Sequence, residues 1–204
     1  MLHTQVAPRW RGRLVVVAAT GAGLTPEVAA QCAGVPTVAV SDAYRLMPTA
    51  DVLYSCDARW WDHHRPQFAG EKWSTHQPGR NDKRGAADRH GLHLVPGAPG
   101  QVFRTDGTIS YGSNSGFQAI GLAILFGAAR IVLVGFNLGG PHFFGAHPRP
   151  LVNSNCRQFL PHFQAAAWRM PAGVEILNAT PRSALDCWPM VPLAAALAWP
   201  ATPG

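Results

Sequence analysis

Charged side chains are scarce in this sequence, and acidic ones are scarcer than basic ones. Only 14% of the 204 residues are charged whereas 47% are hydrophobic, which excludes a chain that is disordered throughout. Seventeen Lys and Arg against eleven Asp and Glu give a formal net charge of +6. The basic residues are scattered, and the densest cluster, residues 80–89, is interrupted by aspartates. We therefore do not favour a nucleic-acid groove, which needs a longer basic stretch with interleaved aromatic residues.

Several motifs that would assign a function are missing. The four cysteines include no C-x-x-C pair, which excludes a zinc knuckle or a thioredoxin-like motif. There is no H-E-x-x-H or other tight metal spacing, no G-x-S-x-G elbow and no Walker A lysine pattern, so the sequence alone predicts no protein-bound metal, serine hydrolase or P-loop kinase. No apolar stretch reaches the ~18 residues of a membrane span and the N-terminus lacks a signal-peptide pattern. We expect a cytoplasmic protein with reduced cysteines.

What the sequence does contain is an alternation of buried strands and helix signals. Residues 14–19 are a continuous apolar run rich in β-branched side chains, and residues 130–135 contain a similar run after Arg130, which is typical of strands buried on both faces of a parallel sheet. After the first run, Gly21-Ala22-Gly23 forms a turn, Thr25 and Pro26 can start a short helix, and residues 37–40 form a second strand. Strand, glycine turn, helix and strand predict a βαβ unit. The fold class is α/β: one Rossmann-like, three-layer domain over residues 1–204 with a mostly parallel sheet.

The remaining segments complete this prediction. Residues 59–100 are rich in Trp, His, Pro, Gly and Arg and show little periodicity, so we predict an elaborated loop or lid there. Residues 102–110 have the pattern of a small hairpin around Asp106-Gly107. An apolar helix is expected over 117–126, a second helix over 154–170 with a kink near Pro161, and a last strand over 174–178.

Two short polar or glycine-rich motifs are candidate ligand sites. Gly21 and Gly23 follow the first strand, where glycines let a backbone approach a phosphate or a ribose, although a tight turn would need them as well. Ser113, Asn114, Ser115 and Gly116 begin the apolar helix. Helix capping requires only one such residue, so several in a row favour an anion or a sugar hydroxyl over capping alone.

Polar residues also follow three predicted strands. Asp42, Asp57 and Asn137 follow runs of strand-forming residues, and ligands of parallel sheets bind at the carboxyl ends of strands. Each acid could bind a ribose hydroxyl or a metal, or could be a solvated turn residue. His142 and His147 lie in the loop after the strand that ends at residue 135, and each could be a general base or an ordinary surface histidine.

Two segments resemble a known superfamily. The segment VVVAATGAGLT (residues 15–25) resembles its strand–G-x-G-P-S-L–helix opening, and SNSGFQAIGLAILFGAARIVLVGFN (residues 113–137) resembles its second signature, a Ser-Gly helix start followed by a strand that ends in Gly-x-Asp. This superfamily comprises the MptE-like pterin diphosphokinases, the Maf-type flagellin glycosyltransferases and the bacterial CMP-sialic acid-dependent sialyltransferases. The segment VSDAYRLMPTADVLYSCDARWWDHH (residues 40–64) is similar to small uncharacterised proteins of bacteriophages and prophages.

The resemblance implies a nucleotide or nucleotide-sugar in the cleft. The residues that it places around this ligand are Thr20, Gly21, Gly23, Asp42, Asp57, Ser113, Asn114, Ser115, Gly116 and Asn137. It implies a glycosyltransferase with a CMP-sugar-like donor, an unidentified acceptor, and His142 or His147 as the base. An ATP-dependent pterin-type diphosphokinase is the first alternative and would need Mg²⁺ on Asp42 and Asp57. The second alternative is an inactive phage nucleotide- or sugar-binding protein, because Asn137 replaces the acid of the family motif.

Overall fold

A computed structural model describes residues 3–77, 83–112 and 114–198 of the chain. Over these residues, eight strands form one sheet. The strands are β1 (Leu14–Ala18), β2 (Thr37–Val40), β3 (Val52–Tyr54), β4 (Glu71–His76), β5 (His93–Ala98), β6 (Ile109–Ser110), β7 (Arg130–Val134) and β8 (Glu175–Asn178). The α-helices are α1 (Pro26–Gln31), α2 (Ala58–His64), α3 (Lys83–His90), α4 (Ser115–Leu125), α5 (Leu160–Ala167) and α6 (Leu193–Leu197).

The order of the strands creates a switch point beside β1. The sheet runs β6-β5-β4-β3-β2-β1-β7-β8, and every neighbouring pair is parallel. From β1 the chain therefore adds strands in one direction as far as β6, and then returns to the other side of β1 as β7. In open α/β sheets, ligands bind in the crevice at the carboxyl ends of the strands where the order reverses. The fold is the predicted Rossmann-like α/β architecture.

Alternate residues of β1 explain the three layers. Val15 and Val17 belong to one apolar cluster, which also includes residues of α4 and α5 such as Phe117 and Phe163. Val16 belongs to a second cluster on the other face of the sheet. Because successive strand residues point to opposite faces, a continuous apolar run is buried only when helices cover both faces.

Side-chain caps begin α1 and α4. Thr25 Oγ1 accepts a hydrogen bond from the Val28 amide at the start of α1, and Asn114 Oδ1 accepts one from the Phe117 amide at the start of α4. These bonds satisfy amides that a helix terminus otherwise leaves unpaired. In the described parts of the chain, every helix is too short or too polar to cross a lipid bilayer.

The prediction of a loop or lid over residues 59–100 is wrong, because this stretch is mostly regular secondary structure. This stretch contains most of α2, and all of β4, α3 and β5. Trp60 and Trp61 lie in the core, at 3% and 0% exposure, and do not form a mobile cover. The sequence analysis did not detect β4 because the strand carries Glu71 and Lys72 at its amino end and so lacks an apolar periodicity. The strand is stabilised instead by pairing with β3 and β5.

Two further boundaries differ from the prediction. The segment expected to form a hairpin contributes β6, which pairs parallel with β5, so the chain does not double back there. The helix expected over 154–170 begins as a 3₁₀ turn, Cys156–Phe159, and continues as α5. Pro161 lies in the first turn of α5, where no amide donor is needed, and therefore causes no kink inside the helix.

Candidate functional site

A cleft of about 290 Å³ lies at the carboxyl ends of β1 and β7, at the switch point of the sheet. This volume is at the lower end of the range of small-molecule pockets, about 300–1,000 Å³. The predicted site residues that line the cleft are Thr20, Gly21, Asp57, Asn114, Ser115, Gly116, Asn137, His142 and His147. Gly23 and Asp42 lie behind its wall, and Ser113 lies outside the described residues. The structure therefore brings together the two loops that the sequence analysis singled out.

The glycine loop after β1 is packed against Asn137. The Gly21 amide donates to the Gly135 carbonyl at 2.9 Å, and the Gly23 amide donates to Asn137 Oδ1 at 2.8 Å. A Cβ atom at Gly21 would collide with Asn137 Oδ1 and with the Gly135 carbonyl oxygen. These glycines are therefore required for close approach of two protein loops, and their amides are engaged within the protein instead of being directed at an anion.

The start of α4 joins the cleft to the end of β3. Ser115 Oγ accepts a hydrogen bond from the Cys56 amide at 3.0 Å and donates one to Cys56 Sγ at 3.2 Å. Asn114 caps the helix, so both side chains have structural partners. The amides of Ser115 and Gly116 belong to the first turn of the helix, which carries partial positive charge and unpaired amides. A ligand at this end of α4 would contact the backbone.

His142 is fixed to the loop after β1. Its Nδ1 lies 2.8 Å from Thr20 Oγ1, and the Phe143 amide donates to the Thr20 carbonyl at 2.9 Å. The His142 ring also stacks on Phe144 with an interplanar angle of 4°. Burial lowers the pKa of His142 below its ordinary value, and His147 nearby lowers it further. With Nδ1 held by Thr20, Nε2 is the nitrogen that can exchange a proton with a ligand.

His147 is held by its own loop and faces a buried carboxylate. Its amide donates to Asn153 Oδ1 at 2.7 Å, and Asn153 Nδ2 donates back to the His147 carbonyl at 3.2 Å. Its Nδ1 lies 3.9 Å from Asp42 Oδ2. Burial lowers the pKa of His147. His147 and His142 are neighbours, with ring centroids 4.8 Å apart.

Asp42 and Asp57, on which the diphosphokinase alternative would place Mg²⁺, lie in different surroundings. Asp42 is fully buried at 0% exposure, beneath the cleft, where Oδ2 accepts a hydrogen bond from Trp60 Nε1 at 2.7 Å. Asp57 lines the cleft, but its Oδ1 accepts from the Arg59 amide and caps α2. The sequence analysis placed Asp42 at the ligand pocket; in the structure it lies in the 3₁₀ helix after β2, is buried, and is not among the residues that line the cleft.

A larger groove adjoins the cleft. It encloses about 1230 Å³ and shares Cys56 and Asp57 with the cleft. Arg59 and Arg169 give it positive charge, and the indole of Trp168 lies in its wall at 88% exposure. The sequence analysis did not identify this groove, because its walls come from separate segments with no common motif. The two cavities therefore meet at Cys56 and Asp57.

Two of the four described non-glycine residues with left-handed φ values line the cleft. Ser41 and Leu138 both line it and both have left-handed φ values, 47° and 49°. Such conformations are costly for residues other than glycine and persist where the surrounding structure imposes them, which occurs most often at functional sites.

The sequence analysis missed one cluster of side chains beside the cleft. His64, at the end of α2, lies next to Asp42 and His147, although these three residues are far apart in the sequence. The only local signal was the pair His63-His64 after two tryptophans, which carries no metal-binding spacing.

Compared with protein-family models and with curated proteins, the chain matches none.

Proposed function

We propose that this chain is a nucleotide-dependent transferase whose cleft binds a nucleotide-sugar donor and whose adjoining groove binds the acceptor. The observation that carries the proposal is that the cleft and the larger groove meet at Cys56 and Asp57, which line both cavities. A hydrolase or a simple binding protein needs one cavity, whereas transfer between two molecules needs two that meet. The resemblance to the sialyltransferase superfamily supports a CMP-sugar as the donor.

The cleft provides the groups that a departing nucleotide needs. It lies at the switch point, where nucleotides bind in open α/β sheets. The amides of Ser115 and Gly116 open an eleven-residue helix, so they can offset charge that develops on a phosphate. In the proposed step the bond between the anomeric carbon and the phosphate oxygen breaks, and the electron pair leaves with the nucleotide.

His142 is the proposed base. It accepts the proton of the acceptor hydroxyl while the hydroxyl oxygen forms a bond to the anomeric carbon. The hydrogen bond with Thr20 fixes the ring, and burial keeps the imidazole neutral and able to accept a proton at neutral pH. His147 is less suited to this role because its Nδ1 lies 3.9 Å from Asp42 Oδ2 and has no hydrogen-bond partner that would fix the ring.

Thermal unfolding in the presence of nucleotides tests the proposal. The melting temperature is measured with CMP-, UDP- and GDP-sugars and with ATP plus Mg²⁺. A ligand at 100 times its Kd adds about 2.7 kcal/mol to the free energy of unfolding, so binding gives a clear upward shift. Ser154→Trp, which places a bulky ring in the cleft wall, should abolish the shift. Gln158→Trp is the matched control, because this exposed residue lies nearby but outside the cleft.

The outcomes separate the candidate functions. A shift with a nucleotide-sugar that Ser154→Trp abolishes, followed by release of the free nucleotide when acceptors are added, supports the transferase. A shift only with ATP and Mg²⁺ would favour the diphosphokinase, and a shift without turnover would favour a binding protein. No shift with any nucleotide contradicts the proposal.

A further inference from the structure

Asp42, His64 and His147 form a cluster of unpaired polar atoms beneath the cleft. The side chain of Asp42 is 1% exposed, and those of His64 and His147 are 16% and 14% exposed. Asp42 Oδ1, His64 Nε2 and His147 Nδ1 are buried, and each lacks a hydrogen-bond partner. Buried polar atoms are normally paired, because an unsatisfied one has lost its hydrogen bonds to water without gaining others. Three unpaired atoms that converge on one point indicate a missing partner common to all.

The spacing of these atoms fits a metal ion better than direct pairing. His64 Nε2 lies 3.7 Å from Asp42 Oδ1, and His147 Nδ1 lies 3.9 Å from Asp42 Oδ2, so neither pair is within hydrogen-bond distance. One ligand atom from each residue lies within 4.8 Å of the other two. Ligand atoms at about 2.0–2.1 Å from a tetrahedral zinc ion are roughly 3.4 Å apart. Small side-chain rotations would bring the three atoms to that separation.

The surroundings hold the candidate ligands in place. Trp60 Nε1 donates to Asp42 Oδ2 at 2.7 Å, which fixes the carboxylate and leaves Oδ1 free. The Trp60 ring also packs on His64, with centroids 4.9 Å apart. Second-shell donors of this kind are characteristic of metal sites. Arg45 Nη1 lies 3.6 Å from Asp42 Oδ1, but its side chain is 51% exposed and can move into solvent.

We propose that Asp42, His64 and His147 bind a divalent zinc-type metal ion at the edge of the cleft. Two imidazoles and one carboxylate select a late first-row metal such as Zn²⁺, since Mg²⁺ and Ca²⁺ prefer oxygen ligands alone. Because His147 also lines the cleft, a fourth coordination position can be reached from the ligand pocket. Three protein ligands with one open position are the arrangement of catalytic rather than structural zinc. This site does not depend on the proposed transferase activity.

Metal binding is tested in the absence of any nucleotide. The full chain is dialysed against a chelator and titrated with Zn²⁺ alone, with calorimetry for affinity and elemental analysis for stoichiometry. We expect one Zn²⁺ per chain, a rise in melting temperature, and no displacement by millimolar Mg²⁺. Cobalt(II) should occupy the same site and give the visible absorption of a low-coordinate complex.

Variants locate the site. His64→Gln and His147→Gln should each weaken Zn²⁺ binding more than 100-fold. Trp60→Phe keeps an aromatic ring at this position but removes the bond to Asp42, and should weaken binding by about 10- to 100-fold. His93→Gln is the matched control, because His93 lies at the amino end of β5, away from the cleft. Circular dichroism of the metal-free variants checks that each is folded. Absence of stoichiometric Zn²⁺ from the wild-type chain, or unchanged binding in folded His64→Gln and His147→Gln, would overturn the proposal.

Discussion

Asn137 Oδ1 accepts a hydrogen bond from the Gly23 amide at 2.8 Å and so joins the loop after β7 to the loop after β1. The Nδ2 of the same side chain donates to the Pro181 carbonyl at 3.4 Å, a longer and weaker bond. Asn137 therefore holds the two central strand ends together at the base of the cleft. The amide oxygen of Asn137 is therefore part of the geometry of the two loops.

Replacing Asn137 tests that role. Asn137→Ala should lower the free energy of unfolding by about 1–2 kcal/mol, because the Gly23 amide loses its acceptor in a half-buried position. Asn137→Asp keeps that acceptor and loses only the weaker bond to Pro181, so it should be less destabilising at pH 7. Urea denaturation of the three proteins measures the difference. Equal destabilisation by alanine and aspartate would show that the Gly23 bond contributes little.

The glycine loop makes a second, steric prediction. Gly21→Ala should destabilise the protein by about 1–3 kcal/mol, since the new methyl group would collide with Asn137 Oδ1 and a backbone carbonyl. Gly121→Ala is the matched control inside α4, where the added methyl group finds ordinary contacts with Ile109 at 3.7 Å or more. It should be neutral or stabilising by up to about 1 kcal/mol, because alanine is the better helix former. Comparable stability of the two variants would contradict the packing described for the loop.

These contacts also show how far the sequence can predict such a structure. β1, β2 and β7 were predicted because strands buried on both faces are continuous apolar runs. β4 was missed because Glu71 pairs with Arg9 and the strand is held by its neighbours, which a local pattern does not record. Likewise, His142 was predicted as a site residue from its place after a core strand, whereas its bond to Thr20 depends on how two distant loops meet.

The proposed activity predicts different effects on kcat for substitutions of His142 and of Thr20, its hydrogen-bond partner. His142→Ala should lower kcat by about 10²- to 10⁴-fold, the usual contribution of a general base, while donor affinity changes only a few-fold. Thr20→Val removes the group that orients the ring and should lower kcat by roughly tenfold, whereas Thr20→Ser keeps the hydroxyl and should restore most of it. Steady-state kinetics with the donor found in the nucleotide screen measure these effects. Normal turnover by His142→Ala would remove His142 from the mechanism, and His93→Gln should be active as a control.

Asp62 predicts a pH-dependent contribution to stability. The bidentate hydrogen bonds from Arg89, then the bond to His90, lower the pKa of Asp62 below its ordinary value of 3.8. A carboxylate with a depressed pKa in the folded state stabilises the protein above its unfolded pKa, and this stabilisation is lost as the pH falls through the folded pKa. Asp62→Asn should therefore lower the free energy of unfolding at pH 6 by no more than about 1 kcal/mol, since the pair is partly exposed.

The difference between wild type and Asp62→Asn should shrink as the pH falls from 6 to below 3. Denaturant titrations across this range measure it. Asp88→Asn removes a carboxylate from a different helix, α3, and serves as the control. For this variant we expect no comparable pH-dependent difference in the free energy of unfolding. If the difference in the free energy of unfolding between wild type and Asp62→Asn stays constant with pH, ionisation of Asp62 is not the cause of that difference.

Cysteine reactivity distinguishes the core from the cleft. Cys32 is 1% exposed, and burial raises the pKa of its thiol from 9.0 to about 11, which lowers the thiolate fraction by about a hundredfold at neutral pH. Cys56 is half-buried and lines both the cleft and the groove. N-ethylmaleimide followed by peptide mass spectrometry should label Cys56 at least tenfold faster than Cys32, and a nucleotide bound in the cleft should slow the labelling of Cys56 alone of these two. Cys56→Ser should remove the fast N-ethylmaleimide labelling of the peptide that contains residue 56. Equally slow labelling of the two thiols in the folded protein would contradict the solvent access of Cys56 from the cleft and the groove, on which the two-ligand proposal depends.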